Sequence, residues 1–206
     1  ANVFGDEVRS VRYFSFLECD FHGRQLVVAR SGYSKQGGFE IYLDDSVFGS
    51  TLWDTLWGAG ADLQVAPGCP NLIERIEAGL LSYGNEMTRE NNPLEINLDR
   101  FCHLGGEIEY IGRPALEAIA AQGPSRRMRG LLIDRDPCPP CGKPWPVLVG
   151  DVKVGQVTSA VWSPAFRKNV GLSLIHKDHW DPGTPVTVQL PDGKRPLALV
   201  ATLPFM

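Results

Sequence analysis

The pattern of this chain changes after Gly123, and that change constrains its fold more than any other feature. Beyond it no helical periodicity recurs. Six short apolar runs follow instead, at 130–133, 147–149, 156–162, 170–175, 186–190 and 197–203. Gly150-Asp151 and Pro191-Asp192-Gly193 lie between runs. Glycine turns the chain at positive φ without steric penalty, and Asp folds its side chain back onto nearby backbone. Short strands at such spacing predict a small antiparallel barrel or sandwich. The basic run SRRMR at 125–129 stands at the junction, so a boundary is expected near 123–129, dividing the chain into domains 1–123 and 124–206.

The first region mixes element types. Residues 8–18 (VRSVRYFSFLE), 25–30 and 38–43 read as strands, being rich in β-branched and aromatic residues. Asp44-Asp45-Ser46 offers a helix cap, after which Phe48, Leu52, Trp53 and Leu56 recur at helical spacing as far as Gly58 and Gly60. A second helix is expected from Pro70 to Gly84. Its apolar stripe is Ile73, Ile76, Leu80 and Tyr83, with Glu74, Arg75 and Glu77 off that stripe. A third runs from Pro114 through Leu116 and Ile119 to Gly123. The fold class is therefore α+β.

Charge narrows the function. A net charge of −4 leaves no domain-wide basic footprint for nucleic acid. No apolar run approaches the roughly 18 residues of a membrane helix, so no membrane partner is expected. The opening ANVFGDEVRS has neither the basic nor the apolar stretch of a secretory leader. Five cysteines, an odd count, point to reduced thiols and a cytoplasmic setting.

Few residues suggest chemistry. Alternation puts Phe39, Ile41 and Leu43 on one face of their strand and Glu40 and Tyr42 on the other. Glu40 is either a solvated surface carboxylate or a ligand-binding one. Its two coplanar oxygens suit a flat edge with two adjacent N–H donors, such as the amino-pyrimidinone side of a pterin. Gly32, Gly37 and Gly38 would let backbone approach such a ring, or serve simply as turn residues. Cys138-Pro-Pro-Cys141 lacks the further ligands of a zinc site, and its prolines oppose the helix of a redox CxxC, so a plain loop is expected. Arg126, Arg127 and Arg129 read as a solvated face or, alternatively, as a site for an anionic tail. Trp162, among polar turn residues, can present its face to a cation or a flat ring.

Four segments together resemble one family. RSGYSKQGGFEIY (30–42), ERIEAGLLSYGNE (74–86) with NNPLE (91–95), EYIGRPAL (109–116) and GQVTSAVWSPAFRKNVGLSLI (155–175) are similar, in order, to motifs of the glycine cleavage T-protein, the tetrahydrofolate-dependent aminomethyltransferase. Two departures stand out. Lys35-Gln36-Gly37-Gly38 stands where the aminomethyltransferases have Gly-Glu-Asp-Gly, and Pro70-Asn71-Leu72 where they have Ala-Arg-Asp, which removes an arginine near folate. Both look more like the dimethylsulfoniopropionate demethylase branch.

The resemblance implies the C-terminal part of an aminomethyltransferase-type folate-binding domain, followed by a small antiparallel β-barrel domain. It implies tetrahydrofolate as cofactor and a small-molecule methyl donor, with a methyl group moved from a sulfonium to N5. The alternatives are an aminomethyltransferase, whose partner would be a lipoyl carrier protein, and a non-catalytic folate-binding protein of the same fold. Glu40, Tyr33, Arg75 and Trp162 are the cofactor-binding candidates, Glu40 matching the family glutamate that holds the pterin. No metal ligand is expected. The catalytic residue is unassigned, because the family aspartate belongs to a region preceding the segment matched by residue 1. The chain is expected to be a fragment of such a protein.

Overall fold

The computed structural model describes residues 1–32, 37–68 and 72–205. Two compact units divide the chain at 70/71. The compact division thus falls well before the 123–129 junction, because residues 72–122 group with the strands that follow them.

In the first unit, β1 (Phe16–Phe21), β2 (Arg24–Ala29) and β3 (Glu40–Tyr42) form an antiparallel sheet in the order β1-β2-β3. Leu17, Cys19 and Phe21 alternate with exposed Phe16, Glu18 and Asp20, so one face is buried and the other open. The buried face packs on Phe4, Val8, Leu43 and Leu52. Leu52 belongs to α1 (Gly49–Ala59). Asp45 caps the turn leading into this helix, its carboxylate accepting from Val47 N at 3.0 Å.

The strand expected over 8–18 is corrected. Asp6–Ser10 is a 3-10 turn instead, and the strand starts only at Phe16. Positive φ at Gly5 (82°) and Phe14 (59°) breaks the extended run, and Val8 is buried from within the turn.

The second unit holds α2 (Leu72–Glu77), α3 (Arg113–Gln122) and a closed six-stranded antiparallel barrel. The strands are β4 (Arg126–Ile133), β5 (Trp145–Val149), β6 (Val152–Ser163), β7 (Lys168–His176), β8 (Pro185–Val188) and β9 (Leu197–Ala201), closing in the order β4-β7-β6-β5-β8-β9. Closure removes the unpaired edges that short strands would otherwise expose. The interior holds Leu131, Ile133, Trp145, Val147, Val157, Ile175, Val188 and Val200. A second cluster lies on the outer side of β4 and β7, where Met128, Val170 and Leu172 pack against Ile76, Ile96 and Phe205. The basic run 126–129 forms the first half of β4.

The helix expected to Gly84 stops at Glu77. Gly79 takes φ 67°, its N–H bonds to the Ile76 carbonyl, and Leu80 N–H reaches back to the Arg75 carbonyl. That pair of bonds is a Schellman cap, and it ends the stripe before Leu80 and Tyr83 can join it. Tyr83 is exposed.

Gly155 sits where β6 crosses close under β7. A Cβ there would lie 2.4 Å from the Leu174 carbonyl oxygen. Gly155→Ala should therefore lower the unfolding free energy by about 1–3 kcal/mol, read from the urea midpoint at unchanged m-value. An unchanged midpoint would show that the strands separate at no cost.

Candidate functional site

The open face of the first sheet carries Glu40. Register places Phe16, Ala29 and Glu40 in one cross-strand row, and Glu18, Val27 and Tyr42 in the next. Directly opposed residues share a face, so this face presents two carboxylates among Phe16, Ala29, Val27 and Tyr42. Phe16 is 61% exposed and Tyr42 58%. Glu40 accepts a hydrogen bond from Ser31 Oγ and, among the described residues, pairs with no cation. The arrangement is a flat platform with aromatic flanks and an acceptor carboxylate. It suits a planar ligand that offers N–H donors at its rim.

Phe16 went unnoticed in the sequence because the strand was read as starting at residue 8. The alternation across Phe16–Phe21 was the signal that would have found it. Tyr33 lies outside the described residues.

Arg75 occupies a different setting. Nη1 donates to Glu86 Oε2 at 2.8 Å and to the Leu80 carbonyl at 2.9 Å, and Nη2 donates to Ser159 Oγ at 2.8 Å. Glu86 Oε2 also accepts from Ser82 N at 2.7 Å. Its Oε1 accepts from Ser159 Oγ and lies 3.2 Å from Thr158 Oγ1. The Glu86 side chain is fully buried and that of Arg75 is 8% exposed.

Thr158 and Ser159 are adjacent and would normally face opposite ways. A register shift in the β6–β7 pairing between Val157 and Ser159 brings both hydroxyls to Glu86. The sequence signal was the polar pair inside the apolar alternation of β6.

Trp162 is half-buried near the end of β6, paired with Asn169 on the adjacent strand β7. Its neighbour Ser163 donates to Glu77 Oε1 at 2.5 Å and accepts from Phe166 N at 3.1 Å, which fixes the strand end against α2. Glu40 and Trp162 belong to different compact units. A groove of about 460 Å³ lies on the barrel, lined by Arg126, Lys153, Gln156, His176 and His179, and is not lined by Glu40, Arg75 or Trp162.

Cys138 and Cys141 are free thiols, partly buried against the barrel interior. Among the described residues no group of three or more His, Cys, Asp and Glu side chains is placed to hold a metal ion. Also among them, no helix is long and apolar enough to cross a membrane. Burial, then the charge of Glu86, pushes the Cys141 thiol up to about 12. Burial likewise raises Cys138.

Two family models match the chain. Residues 3–106 match the GCVT N-terminal domain, and residues 126–206 match the glycine cleavage T-protein C-terminal barrel domain. The chain belongs to the glycine cleavage T-protein family. It is 51% identical over 199 residues to the dimethylsulfoniopropionate demethylase DmdA of Ruegeria pomeroyi, covering 97% of this chain and 54% of that protein. It is 34% identical over 214 residues to an aminomethyltransferase of Bacillus pumilus, covering 99% and 56%. The fold is also that of the glycine cleavage system aminomethyltransferase T from Bartonella henselae, with a TM-score of 0.77 at 24% identity over 96% of this chain and 54% of that one. The chain thus spans about half the length of the curated relatives it matches.

Two outcomes test this geometry. Arg75→Met leaves Glu86 charged and buried, so it should destabilise the fold by about 3–5 kcal/mol, measured by chemical unfolding. A loss below about 1 kcal/mol would mean that Glu86 is solvated in solution. In the second, Cys141 should resist iodoacetamide at pH 8 in the folded chain, because a thiol raised to about 12 stays protonated there, and should react after denaturation. Rapid labelling of folded protein, seen by peptide mass spectrometry, would contradict that environment.

Proposed function

We propose that this chain carries the pterin-holding strand and the C-terminal barrel of a tetrahydrofolate-dependent methyltransferase of the dimethylsulfoniopropionate demethylase type. The observation that carries the reading is Glu40, an acceptor carboxylate on an open, aromatic-flanked sheet face, at the position matching the family's pterin glutamate. The higher identity to the demethylase, 51% against 34% for an aminomethyltransferase, favours the methyl-transfer branch.

The residues on this face suit binding and orientation. Glu40 would accept from the amino-pyrimidinone edge, and Phe16 and Tyr42 would bound the ring on either side. Held there, tetrahydrofolate would supply N5 as the methyl acceptor, with the sulfonium departing as a neutral thioether that keeps the C–S bonding pair and the N5 proton passing to solvent. Sulfur is already cationic, so alignment and exclusion of water supply most of the rate. Tyr33 and Trp162 are proposed as further folate contacts on the strength of the family resemblance. Arg75, whose two terminal nitrogens are engaged by Glu86, Leu80 and Ser159, holds the barrel's contact with α2. The methyl donor is a small molecule. The cytoplasmic setting and the division into domains 1–123 and 124–206 belong to the same proposal.

An aminomethyltransferase working with a lipoyl carrier protein is the second reading, supported by the relatives that carry that name. It predicts ammonia release from an aminomethylated lipoyl partner and no turnover of a sulfonium.

Anaerobic calorimetry with tetrahydrofolate is the direct test, wild type beside Glu40→Gln. Wild type should bind, and the variant should bind roughly tenfold more weakly, the worth of one charged hydrogen bond. A folded wild-type chain that takes up no folate would remove the site from this chain, and equal affinities would remove Glu40 from the site.

A further inference from the structure

The barrel interior ends in positive charge. Strand β4 alternates, with Met128 outward in the outer cluster and Leu131 and Ile133 inward. Arg127 and Arg129 share the inward side. Each guanidinium lies over the Trp180 ring, at 5.5 and 5.4 Å from its centroid, and Trp180 packs against the interior cluster. Arg126, on the outer side, is paired with Glu95 at 3.1 Å. Among the described residues neither inner arginine is in an ion pair. Arg129 donates to the carbonyls of Trp180 and Met128, at 2.9 and 3.1 Å, which supply dipoles but no charge. Asp181 acts on Arg129 through its charge alone, and it is exposed. Burial, followed by the charge of Arg127, depresses Arg129 below the ordinary arginine range.

Among the described residues two buried donors here lack acceptors: Arg127 Nε, and Ser173 Oγ on a residue with 0% exposure. Ser173 stands directly across from Arg129 in the β4–β7 register, and Arg127 is two residues along the same face. Diagonal neighbours on such a face lie about 7–8 Å apart, within reach of one small bound group. Buried donors without acceptors are costly, and two like charges side by side in low dielectric add to that cost. One ligand that is both acceptor and anion offsets all three terms.

We propose that Arg127, Arg129 and Ser173 form a binding site for a small oxyanion, a carboxylate or phosphate group, at the mouth of the barrel. Such an anion takes paired N–H donors from the guanidiniums and the hydroxyl proton of Ser173. The site lies wholly in the barrel strands and does not depend on the folate reading.

The test uses the whole chain with sodium phosphate and, separately, sodium acetate, each against sodium chloride at equal ionic strength. The readouts are the melting temperature and the Arg127 Nε–H resonance. Phosphate, acetate or both should raise the melting temperature and move that resonance, and the stronger of the two identifies the group preferred. Arg127→Gln should weaken the response about tenfold, and Ser173→Ala, which keeps both charges, several-fold. Should Arg127→Gln fail to fold, Ser173→Ala and the resonance carry the test. Equal responses to chloride, or a response unchanged in Ser173→Ala with an unmoved resonance, would assign the two donors to buried water and overturn the proposal.

Discussion

The buried pair of Arg75 and Glu86 is the constraint on which the second unit depends. Two charges cannot leave water unless every lone pair and proton finds a partner, and here the partners come from three places. The Leu80 carbonyl closes the end of α2, Ser82 N fixes the following turn, and Thr158 with Ser159 supplies hydroxyls from the barrel. The strand must bulge to present both hydroxyls at once. The pair thus selects a β6 register as well as a helix position, and ties residues 75–86 to the barrel.

The barrel and the first sheet handle polar groups in opposite ways. At the Arg75–Glu86 pair they are buried and saturated, which rigidifies the structure. On the sheet they are left open, with Glu40 and Glu18 among exposed aromatics and no cation beside Glu40 among the described residues. A saturated carboxylate has no acceptor capacity left for a ligand. An open one keeps it, and this physical difference separates the two glutamates as candidate contacts.

The arginines of β4 show a third arrangement. Alternation sorts the run into Arg126 outside, matched to Glu95, and Arg127 and Arg129 inside, with no carboxylate partner among the described residues. As a string of letters the run looks uniform. Only the strand gives its members different environments, and the imbalance of charge at the barrel mouth follows from that sorting.

Local pattern determined a good deal. Turn residues and short apolar runs specified six barrel strands, because backbone conformation at Gly150 and Gly193 and period-two alternation are local properties. Alternation around Glu40 correctly placed it with Tyr42 on the open face. Four ordered motifs were enough for the family. What lay outside the sequence were effects that depend on distant partners. The stop of α2 is set locally by the cap at Gly79, whereas the commitment of Arg75 to Glu86 and Ser159 and the pairing of Phe16 with Glu40's row arise from contacts between segments well separated in the chain. Local propensity is worth tenths of a kcal/mol per residue, and a buried charge or a packed side chain is worth several, so tertiary structure decided those two.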